Sequence, residues 1–455
     1  MEGGTNLGGG RHQFGGLTDR EAGANFLFVG RLWAGAIKKE INPPFTLPLA
    51  GYLQRPAEVR GLHDPLELNL CWLEDGTTPL IFLTLDVLLF ENSFAEKIKE
   101  LLADELQIPA ESILPSATHT HSAPAIHDFH GLNPRDPEWE EMLVEITIGA
   151  ARAARSQARR SSWGFKSQEL KLAQNRRRKD GPIDPFFPIL FIIDNRENPV
   201  VLLSGYGCHP VCLDEKNLLF SADYIGAFRE QIRKYLGLDL PALFFIGTAG
   251  DVNPLERGSF EAARKLGLEL KEATASLLKG ISFSDEIRLG ALEKKIDLPL
   301  SLPFSLEEIR KIILENELKL DQVKKKPSLL DPSEKKLAEA HLAWAKDLEV
   351  CFLSGKLPAT LTATLAGYRL NDLPILSHPF ELLAQLGHKL RQKISPALWV
   401  VSCSHGYAGY LADEEDALAG GYEINEAYRY HSLLPLSPQA EKTFLEAATH
   451  IFENL

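Results

Sequence analysis

Five apolar stretches of this sequence each run into residues that bind metal ions or transfer protons. ILPSA precedes His119 and His121, VVLLSGY precedes His209, and LPILS precedes Glu381. ALFFI runs into the loop GTAGD, and ALWVVSC runs into the segment that holds Tyr410. Imidazoles and a carboxylate are common ligands of catalytic zinc ions. Because loops at strand ends converge on one cleft in α/β sheets, we expect these residues to form a single site.

Each of these residues also has a purely structural interpretation when it is taken alone. The pair His119 and His121 could be hydrogen bonded at the surface, and a histidine before a proline, as His209 is, is typical of a turn. Glu381 could be a carboxylate at the N-terminus of a helix. Asp251 lies in a glycine-flanked loop, which is typical of an Asx turn. The metal site is therefore a hypothesis that depends on these residues meeting in space.

The elements that must position the site are strands that alternate with helical patterns, which indicates an α/β protein. Alternating apolar residues from Leu66 to Trp72 predict a half-buried strand, and LIFLTLDVLLF predicts a buried strand that ends near Asp86. Ser93 and Glu96 have the spacing of a capping box at the start of the following helix. We expect mixed β-sheets flanked by helices.

The chain divides into a tail and one folded unit. Residues 1–27 are rich in glycine and lack periodicity, which predicts a flexible tail. We expect residues 28–455 to form a single catalytic domain, because the candidate residues are spread from His119 to Tyr410 and must share one cleft. Charged amphipathic stretches over 305–355 predict a helical hairpin insertion.

Composition narrows the class of protein. The 455 residues include 49 Lys and Arg against 62 Asp and Glu, a net charge of −13, and 44% hydrophobic residues. The hydrophobic content is enough for a large core. The negative net charge argues against nucleic-acid partners and against docking to anionic membranes, so the expected partner is a small molecule. The five cysteines lack CxxC spacing, and no leader or long apolar stretch is present, so we expect a cytoplasmic location. Nothing in the sequence indicates an oligomeric state.

Several motifs occur together in a recognisable order. They are SATHTHS at 116–122, HP at 209–210, S-x-D at 221–223, GDVNP at 250–254 and GYAGYL…EE…GYE at 406–423. With GAIKKEINPP, AGYLQR and GLHDPL before them, they resemble the catalytic N-terminal domain of the neutral/alkaline, non-lysosomal ceramidases, over about residues 33–435. The resemblance implies two stacked sheets, an amidase activity and a place in sphingolipid metabolism.

The resemblance also implies roles for individual residues. The implied ligands of a zinc ion are His119, His209, Glu381 and Tyr410. The implied residues around the substrate are His121 beside the attacking water, Arg176 as a substrate-binding or polarising group, and Tyr422 as a donor to the developing oxyanion. A zinc ion held in this way lowers the pKa of a bound water to about 7. We expect Asp223 and Asp251 to orient the imidazole N–H groups, as carboxylates near ligating histidines do.

One position departs from the motif of the ceramidases. Their loop reads GDxSP, with the serine assigned to acyl transfer, whereas this chain has Asn253 there. An amide side chain has no proton to lose at neutral pH and is not a nucleophile. Either Asn253 orients or polarises the substrate while activated water attacks directly, or the fold serves another bond or binding alone.

The sequence therefore predicts a zinc-dependent hydrolase of the neutral ceramidase superfamily that cleaves an amide or ester bond with metal-activated water. The alternatives are a true ceramide N-deacylase and a metal-binding protein without catalysis. The chain ends soon after the last motif, without the immunoglobulin-like domain of many ceramidases, which favours a smaller or more soluble N-acyl substrate.

Overall fold

The structure is a computed structural model that describes residues 29–55, 58–129, 131–325 and 332–455. The tail predicted over residues 1–27 lies outside them. The strands within the described residues are β1 (Gly30–Arg31), β2 (Trp33–Glu40), β3 (Gly61–Leu62), β4 (Glu67–Glu74), β5 (Pro79–Leu85), β6 (Ile113–Ala117), β7 (Arg159–Glu169), β8 (Ala173–Asn175), β9 (Phe186–Asp194), β10 (Pro199–Tyr206), β11 (Leu219–Phe220), β12 (Ala242–Ile246), β13 (Val252–Pro254), β14 (Glu286–Ile287), β15 (Leu289–Pro299), β16 (Thr360–Leu370), β17 (Leu373–Ser377), β18 (Glu381–Leu382), β19 (Trp399–Val401) and β20 (Tyr410–Leu411).

The helices lie between and after these strands. They are α1 (Asn92–Leu106), α2 (Pro137–Ser156), α3 (Asp223–Leu236), α4 (Phe260–Leu278), α5 (Leu306–Lys325), α6 (Pro332–Leu353), α7 (Ala384–Lys393), α8 (Glu414–Ala419), α9 (Tyr422–Asn425) and α10 (Ala440–Asn454). Helices α5 and α6 pack against each other across the segment in which the sequence predicted a hairpin.

Two large sheets form the centre of the molecule. The first has eight strands in the order β12-β10-β9-β7-β2-β4-β5-β6, and the second has four in the order β15-β16-β17-β19. Both mix parallel and antiparallel pairs. The sheets are stacked through a shared core in which the Phe82 ring lies 5.3 Å from that of Tyr368, and Phe245 lies 5.7 Å from Trp399. The predicted α/β class, with mixed sheets flanked by helices, is confirmed.

Helices cover the outer faces of both sheets. Helices α1 and α2 pack on one end of the eight-stranded sheet, and α3 and α4 pack on its other end. Helices α7 and α10 cover the four-stranded sheet. Among the described helices, none is long and apolar enough to cross a bilayer.

The expectation that the strand at 66–72 has one exposed face is wrong. In β4, Leu70 packs towards α1 and α2, while Cys71 on the opposite face lies in the core between the sheets. Glu67 is buried too, and its carboxylate accepts hydrogen bonds from Arg233 at 2.6 and 2.8 Å. The alternating residues are covered because a second sheet and α3 lie over that face.

The capping box predicted at Ser93 and Glu96 is also wrong. Helix α1 begins two residues earlier than the box implies, at Asn92, and its N-cap residue Glu91 makes no side-chain capping bond. The Ser93 hydroxyl instead donates to the Glu91 carboxylate at 3.1 Å. The Asn92 side chain is used elsewhere, because its Oδ1 accepts a hydrogen bond from the Tyr407 N–H at 3.0 Å.

Candidate metal centre

The first histidine of the site is held in a strained backbone conformation at the end of β6. Thr118 follows the strand and donates to Asp86 Oδ1 at 2.9 Å, and the His119 N–H donates to the Val87 carbonyl at 3.1 Å. These bonds hold His119 at a φ of 63°, a left-handed conformation that side chains with a Cβ rarely adopt. Such strain is found mainly at functional sites, where the surroundings fix it.

Backbone carbonyls orient the two buried imidazoles. His119 Nδ1 lies 2.8 Å from the Leu88 oxygen, and His209 Nδ1 lies 2.5 Å from the Ala249 oxygen. A carbonyl can only accept, so each Nδ1 carries a proton, and Nε2 is the nitrogen that each ring can offer to a metal ion. A histidine that binds a metal ion through Nε2 has its proton on Nδ1 in the same way.

The expectation that Asp223 and Asp251 orient these imidazoles is therefore wrong. Asp251 accepts hydrogen bonds from Asn175 Nδ2 at 2.6 Å and from the Ala384 N–H at 2.8 Å. Asp223 accepts from the Leu213 N–H at 2.9 Å. Both carboxylates tie loops together around the site, while main-chain oxygens reach the rings.

Glu381 brings a carboxylate oxygen to both Nε2 atoms. Its Oε2 lies 2.8 Å from His209 Nε2 and 3.3 Å from His119 Nε2, and none of these three buried atoms has a hydrogen-bond partner among the described residues. Burial lowers the pKa of His119, but the neighbouring Cys403 and Glu381 outweigh burial and raise this pKa well above its ordinary value. Two Nε2 atoms and an anionic oxygen this close together need a positive charge among them, which a proton or a metal ion supplies. This donor set fits a divalent metal ion such as Zn²⁺.

His121 is the third imidazole of the cluster. Its ring centroid lies 5.2 Å from that of His119 and 5.6 Å from that of His209, and no residue in the described part of the chain forms a hydrogen bond with either of its nitrogens. One ring nitrogen from each of the three histidines lies within 4.8 Å of the others, so this group could hold a metal ion. The sequence analysis placed His121 beside the proposed ligands and not among them. In the structure His121 lies as close to His119 and His209 as they lie to each other.

Burial and neighbouring charges fix the protonation of this group. Burial opposes ionisation of Glu381, but the adjoining His119 and His209 outweigh it and hold the pKa of the carboxyl well below its usual value. Burial, reinforced by the other two imidazoles, lowers the pKa of His121 well below its ordinary value. At neutral pH Glu381 is therefore an anion and His121 a neutral base.

Tyr410 lies beside Glu381 and is tied to Arg176. Arg176 Nη2 donates to the Tyr410 hydroxyl at 3.2 Å, and its Nε donates to Glu423 Oε1 at 2.9 Å. Burial and the negative Glu381 raise the pKa of Tyr410 well above its ordinary value, while Arg176 acts in the opposite direction. Loss of the phenolic proton at neutral pH therefore requires an additional cation nearby.

Two contributors to the site were missed in the sequence. The Tyr407 hydroxyl donates to Glu381 Oε1 at 2.8 Å and thereby fixes the carboxylate. Glu423 accepts from both Arg176 and Arg177, the latter at 2.7 Å. Both residues lie inside the GYAGYL…EE…GYE motif, so the motif could have pointed to them. A hydroxyl or carboxylate that orients another ligand has no characteristic spacing in sequence, however, and was therefore missed.

Asn253 and Tyr422 occupy different surroundings. Asn253 lies in β13, next to Val252, whose carbonyl accepts from the His209 N–H at 2.9 Å. The Asn253 Oδ1 is buried, and within the described ranges it has no hydrogen-bond partner. Tyr422 is half-exposed, with its ring 6.3 Å from that of Tyr410.

A cavity of about 400 Å³ opens beside the cluster. Of the eight candidate residues, five line it: His119, His121, Glu381, Tyr410 and Tyr422. Among the described residues that line the cavity, His209, Arg176 and Asn253 do not occur. Most of the remaining wall is apolar or aromatic, so the cavity suits an acyl or similarly apolar group next to the candidate metal ligands.

Fold and site together define an α/β protein with two stacked sheets and a histidine–carboxylate centre able to hold a metal ion. No family model matches the chain, and no curated protein matches its sequence. Solved structures do match it. The neutral ceramidase from Pseudomonas aeruginosa is 17% identical, with 93% of this chain and 75% of that chain covered and a TM-score of 0.70. A ceramidase complexed with C2 is 16% identical, with 93% and 76% covered and a TM-score of 0.69. The chain therefore has the fold of the neutral ceramidases.

Proposed function

We propose that this protein is a zinc-dependent hydrolase of the neutral ceramidase superfamily that cleaves an amide bond. The observation that carries the proposal is the meeting of two Nε2 atoms, from His119 and His209, with the anionic Oε2 of Glu381. The shared fold with ceramidases supports the same class of reaction. The proposed ligands of the metal are His119, His209, Glu381 and Tyr410.

Zinc in such a site acts as a Lewis acid and supplies a nucleophilic water at neutral pH. Neutral His121 lines the cavity with both nitrogens free, so it can accept a proton from the attacking water and return it to the leaving amine. Tyr422 lines the same cavity and is the proposed hydroxyl donor to the developing oxyanion. Arg176, fixed by Glu423, keeps positive charge next to Tyr410.

Asn253 is assigned a supporting role in this scheme. It cannot act as a nucleophile, and it is not among the described residues that line the cavity. It lies on the strand whose Val252 carbonyl accepts a hydrogen bond from the His209 N–H. Direct attack by water needs no covalent intermediate on the protein, so this position does not have to be a serine.

The test of the proposed function is turnover of a defined panel with added zinc: N-acyl amino acids, simple esters and ceramide. We expect the wild-type protein to hydrolyse an amide of the panel. His121→Ala should lose this activity, and the surface variant His450→Ala should keep it. Failure of every member of the panel would instead favour a protein that binds a metal and a ligand without catalysis.

A second candidate is ceramide N-deacylation itself, favoured by the names of the two structural neighbours. Asn253→Ser tests it, because a serine there restores the GDxSP loop. Ceramide cleavage by the unchanged chain would support this second candidate. A gain of ceramide cleavage only in Asn253→Ser would show that the scaffold is intact and that only this residue diverged. If Asn253→Ser had the same substrate specificity as the wild type, direct attack of water on the amide would be supported.

We also infer that the described chain from residue 29 works as one catalytic unit inside the cell. The cluster draws on residues from His119 to Tyr410, which a division into separate modules would pull apart. The five cysteines are unpaired, which is usual in a reducing compartment.

A further inference from the structure

The wall of the cavity beside the metal centre includes two cationic side chains, Arg55 and Lys336. Arg55 is buried, and its two terminal nitrogens are hydrogen bonded to the backbone. Its guanidinium donates to the carbonyl oxygens of Ala50 at 3.1 Å, His121 at 2.6 Å and Asp214 at 3.0 Å. Both terminal nitrogens of Arg55 are therefore used to support the loops around His121.

Lys336 is in a different situation. It is partly buried, and in the described ranges 29–55, 58–129, 131–325 and 332–455 its ammonium group makes neither a hydrogen bond nor an ion pair. Its neighbour Lys335 is exposed, and Lys335 Nζ lies 3.6 Å from Glu339 Oε1. A cation that lines an apolar cavity without a protein partner gains most from an anionic group on a ligand.

Helix α6 holds Lys336 at the cavity through a packed interface. The buried Trp344 donates from Nε1 to the Leu433 oxygen at 3.0 Å. The His341 ring stacks on Tyr430, with centroids 6.1 Å apart, and Tyr430 itself lines the cavity. The helix is therefore anchored to the segment that forms the cavity wall, and Lys336 is a built part of that wall.

The size and the lining of the cavity restrict the ligand. About 400 Å³ is near the lower end of the range for small-molecule sites. The apolar part of the wall is formed by Leu49, Leu53, Leu88, Leu89, Phe129 and Leu132. Such a space suits one short acyl chain and one anionic group.

We propose that Lys336 is a specificity-determining residue that pairs with a carboxylate on the substrate, and that the preferred substrate is a small N-acyl amino acid. This inference rests on the proposed amide hydrolysis and names its substrate class. The acyl chain lies along the apolar wall, the amide lies at the histidine–carboxylate cluster, and the carboxylate meets Lys336.

Kinetics with matched substrates test the pairing. N-octanoyl-glycine carries the carboxylate, and N-octanoyl-glycinamide is nearly the same shape without the charge. Lys336→Met is expected to raise KM for N-octanoyl-glycine by about tenfold or more, with a smaller effect on kcat and little effect on the glycinamide. Lys335→Met is the matched control and is expected to change neither. Equal losses on both substrates, or none, would overturn the assignment.

Binding measured without turnover separates this inference from the proposed function. The probes are N-octylsulfonyl-glycine and its carboxamide, which contain no cleavable acyl amide, titrated by calorimetry into the zinc-loaded protein. Weaker binding of the acid alone in Lys336→Met would support the anion site. If that result came with no hydrolysis of any amide, the hydrolase proposal would fail while the anion site stood. Acid and carboxamide binding equally well in both proteins would overturn the anion site.

Discussion

Glu381 and Tyr410 are paired residues in the parallel ladder of β18 and β20. The Glu381 N–H donates to the Gly409 carbonyl at 2.9 Å, so the backbone fixes the two side chains as neighbours. Adjacent strands lie about 4.8 Å apart, a separation from which a carboxylate and a phenol can reach one ion. The short ladder therefore brings together two proposed ligands that are far apart in sequence.

Gly51 is predicted to be essential for the position of His121. Gly51 has a φ of 97°, and a Cβ there would lie 2.4 Å from His121 Nδ1. We expect Gly51→Ala to displace the imidazole and to lower kcat/KM for amide hydrolysis by at least about tenfold, since loss of one acid–base group costs that much or more.

Gly76→Ala is the matched control for Gly51→Ala. Gly76 has a φ of 94°, and a Cβ there would meet nothing within 4 Å. Both variants carry a backbone strain of roughly 1–2 kcal/mol, visible in urea unfolding, but Gly76→Ala should keep full activity. Wild-type kinetics in Gly51→Ala would show that His121 has no part in the reaction.

Tyr407→Phe is predicted to weaken metal binding without removing a ligand. The change deletes the hydroxyl that donates to Glu381 Oε1 at 2.8 Å and leaves that buried oxygen less well oriented. Loss of such an orienting bond commonly lowers zinc affinity by about 10- to 100-fold. Competition with a chromophoric chelator measures this affinity. The half-exposed Tyr235 provides the control Tyr235→Phe, and equal affinities for both variants would contradict the role given to Tyr407.

Stability at acid pH is predicted to depend on Glu67. Burial opposes its ionisation, but the hydrogen bonds and charge of Arg233, with Arg229 nearby, outweigh burial and lower the pKa of Glu67 from 4.5 to about 2. A depressed folded-state pKa stabilises the fold fully above pH 4.5, and this contribution is lost as the pH falls towards 2.

Urea unfolding of wild type and Glu67→Gln measures this contribution. The difference in free energy of unfolding should be constant between pH 7 and 5 and should shrink by about 1.4 kcal/mol per pH unit below pH 4.5. The exposed variant Glu307→Gln is expected to unfold like the wild type throughout. A difference for Glu67→Gln that did not vary with pH would contradict the ion-pair explanation.

The positions of several strands could be predicted from the sequence because buried strands are short apolar runs. The runs at ILPSA, LPILS and ALFFI coincide with β6, β17 and β12. The structure also corrects one alternative: Glu381 lies in a strand, and the next helix begins at Ala384.

What the sequence could not supply are contacts made by the main chain. The imidazoles are oriented by the Leu88 and Ala249 carbonyls, which every residue type possesses, so no motif marks them. The burial of β4 on both faces was hidden for a similar reason. It depends on the stacking of a second sheet whose strands begin more than 200 residues later, and alternation within one strand carries no record of that sheet.

Zinc content tests the central claim most directly. Elemental analysis of the purified protein, reconstituted with zinc and passed over a desalting column, is predicted to find close to one equivalent per chain. The double variant His119→Ala/His209→Ala is predicted to retain almost none, and the exposed His450→Ala to retain the wild-type amount. Equal zinc in the double variant and the wild type would contradict the metal centre.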